Sequence, residues 1–283
     1  MLAALLLAMF AAPPDTILVD NAVVIQPVAN MYSKASADAD VTSQAIYSTN
    51  IAVLEKQPGW AKVRTPDGYT GWMQSSAFAN AAPYAQTGRI AQVENLFAGL
   101  YRETDVTKHQ PLLVIPFESR LEVVAGPIGD DDRWLQVRLP DNRSAWVQSG
   151  DVTFSPRKLA VPELIEWSKR FIGIPYIWGG TSTFGYDCSG FTQMLCRRRG
   201  YSLPRDSGPQ ANWTGMQPID PAELQPGDFL YFGESAKKIT HTGMYIGNGE
   251  FIDATAYLRP MVQISELEGH WAKLLVAARR IKQ

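Results

Sequence analysis

The chain has 283 residues, 46% of them hydrophobic and 19% charged, with a formal net charge of −2. That length suggests about two domains, or three small ones. The near-neutral balance, with no long basic stripe to neutralise phosphates, argues against nucleic-acid binding.

Residues 1–15 form the first element. Met1 to Ala12 is apolar and breaks at Pro13-Pro14. The run is long enough for the apolar part of a signal peptide and too short for the ~20 residues of a membrane span. It carries no Lys or Arg, and neither Ala11 nor Ala12 has a small residue two positions earlier. Export to the cell envelope or periplasm is the expectation; an apolar segment packed on a cytoplasmic protein is the alternative.

Residues 16–82 and 83–156 contain an internal repeat. Trp60-Ala61-Lys62-Val63-Arg64-Thr65-Pro66-Asp67-Gly68 runs on to Trp72-Met73-Gln74-Ser75. Trp134-Leu135-Gln136-Val137-Arg138-Leu139-Pro140-Asp141-Asn142 runs on to Trp146-Val147-Gln148-Ser149 at the same offset. Asn30-Met31-Tyr32 aligns loosely with Gly99-Leu100-Tyr101 further upstream. Apolar and polar residues alternate around a Pro-Asp-Gly or Pro-Asp-Asn turn, the signature of a β-hairpin. Two copies are too few for a solenoid, and each resembles a small bacterial SH3-like barrel. A small barrel needs bulky side chains to fill it, so Val63, Val137 and most of the tryptophans are expected in the cores.

Residues 157–283 follow a Pro156-Arg157-Lys158 linker. Leu164, Ile165, Trp167 and Phe171 fall near helical spacing, with Pro162 suited to a first turn. The glycine-rich approach Tyr176-Ile177-Trp178-Gly179-Gly180 then leads to Asp187-Cys188-Ser189-Gly190-Phe191 and an apolar run. This pattern places Cys188 at a helix N-terminus, with Asp187 as a candidate cap. The positive end of the helix dipole and the unpaired N–H groups there favour thiolate over thiol, which makes Cys188 a candidate nucleophile. Its backbone N–H is a natural oxyanion donor. Cys196 lies eight residues on along the same helix, ~12 Å away and beyond disulfide reach. It reads as a buried helix residue.

A nucleophilic thiol needs a base. The histidines are His109, His241 and His270. His241 starts an apolar run that turns at Gly247-Asn248-Gly249 and returns through Phe251 to Ala254, a hairpin pattern. A Pro226-Gly227-Asp228 turn feeds a further apolar strand just before it. A cysteine-bearing helix followed by a histidine-bearing antiparallel meander can bring the two side chains together. His109 and His270 read as surface residues, and no ligand set for zinc stands out.

Five pieces occur in order: Pro175 to Gly180, Asp187 to Phe191, Leu203-Pro204-Arg205-Asp206-Ser207, Pro226-Gly227-Asp228, and His241-Thr242-Gly243 through Gly249. Together they resemble the NlpC-type cysteine peptidases, papain-like enzymes that cut γ-D-glutamyl–diaminoacid bonds in bacterial cell-wall peptides. The resemblance implies an α+β fold. A papain-like domain of helix and antiparallel sheet would follow two all-β SH3-like barrels, modules that often precede such domains. It implies Cys188 as nucleophile and His241 as base, with Tyr176, Asp187, Ser189, Asp206 and Ser207 holding substrate and Tyr176 as a second oxyanion donor. It calls for no cofactor and no metal. Peptidoglycan stem peptides are the implied partners, on a monomeric chain. Tyr176 could instead pack against Trp178, and Asp187, Asp206 and Ser207 could cap helices or turns.

The family's third catalytic position, twelve residues after the base, holds Asp253 here instead of the usual histidine. A carboxylate can orient an imidazole and stabilise its protonated form. A two-residue Asn248-Gly249 turn would send Asp253 to the face opposite His241. A three-residue Gly247–Gly249 loop would place the pair diagonally on one face, ~7–8 Å apart at Cα. The three-residue loop is the expectation.

In relatives with paired barrels, the first barrel covers the active site and admits short peptides with a free amino end. Tyr69, at a turn tip, is the residue here that would do so. The glutamate such relatives add is not matched, because Ser48-Thr49-Asn50 occupies that region. The second barrel, with Arg143 at the equivalent of Tyr69, reads as a spacer. Two other functions share these features: an inert wall-binding scaffold, and a Cys–His acyltransferase or amidase.

Overall fold

The computed structural model describes residues 20–128 and 132–282. The apolar N-terminal run lies outside the described residues. Among the described residues, no helix is long and apolar enough to cross a membrane.

The first β module is a seven-stranded sheet in the order 41–46, 28–32, 70–74, 60–64, 50–57, 20–24, 78–80. The second combines a five-stranded sheet, in the order 144–148, 134–138, 120–128, 90–93, 152–153, with a two-stranded ribbon of Leu113–Pro116 and Phe97–Leu100. The repeat is visible in their details. Tyr32 meets Trp60 edge-on at 5.3 Å between ring centres, and Tyr101 meets Trp134 edge-on at 5.6 Å. Each module also has the same tight turn. Ser48 in one and Glu118 in the other take a left-handed backbone, with φ of 68° and 69°.

The tryptophans do not fill the modules as expected. The first core is built from Ala22, Val24, Met31, Ile51, Val53, Ala61, Val63 and Met73, while Trp60 and Trp72 are only half-buried. Strand alternation explains this. Ala61 and Val63 point inward, so Trp60 and Lys62 share the outer face, and Trp72 pairs with Lys62 there. In the second module Trp134 is buried and Trp146 half-buried.

The C-terminal part packs helices on one antiparallel sheet. α1 (Val161–Ser168) opens with Pro162 in its first turn. α2 (Cys188–Arg199) is buried along nearly all its length and ends on Gly200 in the left-handed conformation. α3 (Ser207–Ala211) is a single short turn. α4 (Gly269–Leu274) precedes the last strand. The six strands run in the order 216–219, 275–281, 229–235, 238–247, 250–255, 261–266. The core between α2 and this sheet includes Phe171, Phe191, Leu195, Phe229, Tyr231, Met244 and Ile252. Cys188 thus starts a helix that the sheet holds rigidly, and His241 lies on a strand at the centre of that sheet.

Candidate active site

Asp187 caps α2, accepting a hydrogen bond from the Gly190 N–H at 2.7 Å. The glycine-rich segment packs so tightly against this helix start that a Cβ on Gly190 would press into the Gly180 carbonyl. Cys188 is therefore fixed in the first turn, buried, with its thiol unpaired in any disulfide. Eight residues later Cys196 is fully enclosed, and burial pushes its thiol pKa up.

His241 Nε2 lies 2.7 Å from Asp253 Oδ2. Cys188 lies near enough to raise the pKa of the imidazole. With Nε2 held by the carboxylate, Nδ1 is the nitrogen left for the sulfur. Burial draws the imidazole pKa down, but the hydrogen bond to Asp253, the nearby Cys188 and their negative charges outweigh it, and the pKa is pushed up to about 9. The indole of Trp271 stacks on the imidazole, 4.6 Å between centres at 26°.

The hairpin reaches this arrangement by a route the sequence reading did not foresee. Gly247 pairs with Glu250 across a two-residue turn, with Asn248 and Gly249 both at positive φ, and not across a three-residue loop. A bulge between Tyr245 and Gly247 then shifts the register by one residue, so that Met244 pairs with Ile252. The extra residue undoes the face change that the tight turn would cause, and Asp253 returns to the face of His241. Gly243 makes room for it. A Cβ at that position would sit 2.6 Å from the Phe251 ring and 3.0 Å from the Asp253 Cβ.

Asp253 is fully buried, and its second oxygen is not idle. Ser265 Oγ donates to Asp253 Oδ1 at 2.9 Å, and Gln263 Nε2 donates to that hydroxyl at 3.4 Å. Ser265 was missed in the sequence. Its place is set by the pairing of Glu250–Thr255 with Met261–Glu266, which no local motif announces.

The remaining predicted residues gather at the start of α2. Tyr176 is half-buried beside Cys188, Asp187 and Arg205; burial first, then the nearby negative charges, raise its hydroxyl pKa, so it stays a neutral donor. Arg205 is buried and lies inside a quoted motif, yet it had not been singled out. Its guanidinium grips Asp187 Oδ2 at 2.6 Å and donates to Ser189 Oγ at 2.8 Å. It also reaches across to Ser43 Oγ of the first β module at 3.0 Å. Asp187 is thus both cap and ion-pair partner. Asp206 occupies the cap position of α3, but its side chain does not cap. The carboxylate lies near the Tyr69 hydroxyl instead, and burial raises its pKa. Ser207 follows as the first residue of α3.

Tyr69 arrives from the turn between 60–64 and 70–74, whose backbone is closed by Thr65 N–H to Tyr69 O at 3.0 Å. Asp67 of the same turn accepts from Gln193 of α2 at 3.1 Å. Ser48 and Asn50 face elsewhere: Ser48 Oγ accepts from the Arg120 N–H and Asn50 bonds to Tyr84. His109 sits on the surface paired with Glu103, and His270 is exposed.

Residues 173–280 match the model of the NlpC/P60 family, and residues 27–79 match that of the bacterial SH3 domain. A gamma-D-glutamyl-L-lysine dipeptidyl-peptidase of Bacillus cereus is 34% identical over 227 residues, covering 74% of this chain and 66% of the relative. The protein of the same name from Bacillus subtilis is 28% identical over 253 residues, covering 86% of this chain and 82% of the relative. The crystal structure of an NlpC/P60 family protein from Bacillus cereus superposes with a TM-score of 0.79 at 27% identity, covering 92% of this chain and 99% of that one. A thiol at a helix start, an imidazole on the facing sheet and these matches lead to one conclusion: the chain belongs to the NlpC/P60 family of papain-like cysteine peptidases and carries a bacterial SH3 domain ahead of the peptidase domain.

Proposed function

We propose that this chain hydrolyses the bond between γ-D-glutamate and a diamino acid in short cell-wall peptides that carry a free N-terminal L-alanine. The observation that carries this reading is Cys188 at the start of α2, near enough to His241 to raise its pKa, with that imidazole held by Asp253 at 2.7 Å.

The reacting form pairs the Cys188 thiolate with an imidazole that keeps its proton to about pH 9. The sulfur attacks the γ-carbonyl carbon, and the C=O electrons move to oxygen. The Cys188 N–H and the Tyr176 hydroxyl are the donors placed to hold that oxyanion. The carbonyl re-forms as the C–N bond breaks, and the His241 proton passes to the leaving amine. Water, deprotonated by the now neutral imidazole, hydrolyses the thioester and restores the thiolate.

The first β module supports the restriction to short peptides. It brings Tyr69 near Asp206 and ties Ser43 to Arg205, a few residues from the nucleophile. A substrate ammonium beside the Asp206 carboxylate, whose pKa burial has raised, would bring that pKa back down and be attracted in return.

Release of lysine from L-Ala-γ-D-Glu-L-Lys tests the reading. Cleavage of the free tripeptide at least about tenfold faster than of its N-acetyl derivative is expected, from the loss of one charged contact. Failure to cleave either peptide would overturn the proposal. Equal cleavage of both would remove recognition of the amino end.

A further inference from the structure

The loop after the Asp253 strand is ordered, strained and exposed at once. Tyr257 N–H donates to Thr255 Oγ1 at 3.0 Å, Arg259 N–H to the Tyr257 carbonyl and Met261 N–H to the Arg259 carbonyl, both at 2.8 Å. The Tyr176 N–H donates to the Pro260 carbonyl at 2.9 Å. Leu258, at the tip, is held at φ 60°, a conformation β- and γ-branched residues seldom adopt, and is 81% exposed. That side chain stands mostly in solvent, and strained backbone of this kind gathers at ligand clamps.

The loop also borders the catalytic imidazole. Tyr257 is 39% exposed and stacks flat on His270, 4.1 Å between centres at 3°. It meets the Trp271 edge at 5.6 Å, and Trp271 in turn lies on His241. Trp271, Tyr257 and His270 thus form one aromatic cluster running outward from His241, and Leu258 follows Tyr257 in the chain.

Chemistry decides what occupies that surface. The leaving nitrogen must take its proton from His241, so the residue carrying that nitrogen lies on the imidazole side of the cleft. The amino end of the acyl group is assigned above to the neighbourhood of Asp206 and Tyr69, which leaves the imidazole side to the leaving residue. We propose that Tyr257 and Leu258, backed by His270 and Trp271, form the subsite for the leaving diamino acid and pack against its aliphatic stem. This rests on the peptidase reading above. The aromatic rings and the leucine remove the methylene chain from water, while its terminal charge extends past them into solvent.

The test compares L-Ala-γ-D-Glu-L-Lys with L-Ala-γ-D-Glu-Gly on the full chain and on the variants Tyr257→Ala and Leu258→Gly. Glycine suits the left-handed backbone at 258, so that variant removes the side chain without adding strain. The intact protein is expected to cleave the lysine peptide about tenfold faster in kcat/KM, a value typical of a few methylenes in an apolar pocket. Each variant should lose most of that preference, read as the ratio of kcat/KM for the two peptides. Equal cleavage of the two peptides by the parent, equal loss on both in the variants, or no change in the variants would overturn the subsite. Absence of cleavage of either peptide by the parent would sink the peptidase reading itself, a distinguishable result.

Discussion

The two ends of α2 are built alike and behave differently. Each holds a buried cysteine, and each is gripped by one copy of the repeat. At the N-terminal end the first β module reaches Arg205 through Ser43 and Asp206 through Tyr69. At the C-terminal end the second module pairs Glu118 with Arg197 at 2.6 Å and Glu94 with Arg198 at 2.8 Å. Those acids sit where the helix dipole is negative, so they act on the arginines rather than on the helix itself. The equivalent turn that presents Glu118 in the second copy presents Ser48 in the first. One copy clamps the helix through ion pairs, and the other brings a tyrosine near Asp206. A cysteine becomes a nucleophile only at the end where donors and an imidazole converge. Cys196 has a core around it and a raised thiol pKa.

That contrast can be broken or sharpened by experiment. The largest effect is expected at the reactive end. Asp253→Asn should lower kcat/KM by about 10²–10⁴-fold, because the imidazole loses both its orientation and the charge that stabilises its protonated form. His241 has a raised pKa, so the ion pair persists upward to about pH 9 and is lost above it. The alkaline limb of the parent's kcat/KM profile should therefore fall near pH 9, and in Asp253→Asn it should move to lower pH. An unmoved limb would separate Asp253 from the titration. The same raised pKa stabilises the fold in full below about pH 6.5 and loses that contribution as pH rises through about 9, measurable as a falling melting temperature.

Ser265→Ala should cost about tenfold in kcat, since a buried carboxylate loses a hydrogen bond of about 1.5–3 kcal/mol and with it some of its fixed orientation. Ser265→Thr should recover part of the loss, whereas a purely structural role would show in melting temperature and leave kcat unmoved. Smaller still is Tyr69→Phe. It should raise KM about fivefold for the free tripeptide and leave the N-acetyl peptide unchanged, while Arg143→Ala, at the matching turn of the other copy, should change neither. The smallest effect on catalysis belongs to the far end. Glu118→Gln should leave kcat/KM within about twofold while lowering stability by about 1–2 kcal/mol, read from chemical denaturation, because the pair is only partly buried. A tenfold loss of activity there would mean that the second module does more than hold the helix.

Much of the site was legible because its signals are local. A cap residue, a cysteine and a glycine-rich approach lie within a dozen positions, and the His241 hairpin announces itself by its turn. Asp253 was legible through its spacing, although the expected three-residue loop was wrong. The bulge at Ile246 that restores the register leaves no mark in composition. Ser265 and Trp271 stayed hidden because a serine in a strand and a tryptophan in a short helix acquire meaning only when distant strands pair. Arg205 was hidden differently: it stood inside a quoted motif, but its partners are set by tertiary packing. The tryptophans depart from the core expected of a small barrel because strand alternation puts Trp60 and Trp72 on the outer face. The two modules were visible as a repeat, yet their unlike attachments to the two ends of α2 depend on single residues, Tyr69 against Arg143 and Ser48 against Glu118.

The most direct test of the central claim traps the covalent intermediate. L-Ala-γ-D-Glu-L-Lys is mixed with the protein, quenched in acid within the first turnover, and the digest is weighed by mass spectrometry. An L-Ala-γ-D-Glu acyl group on the peptide containing Cys188 is expected, with none on the one containing Cys196 and with lysine release at least about 10³-fold slower in Cys188→Ala. Turnover without any adduct, undiminished in Cys188→Ala, would contradict it.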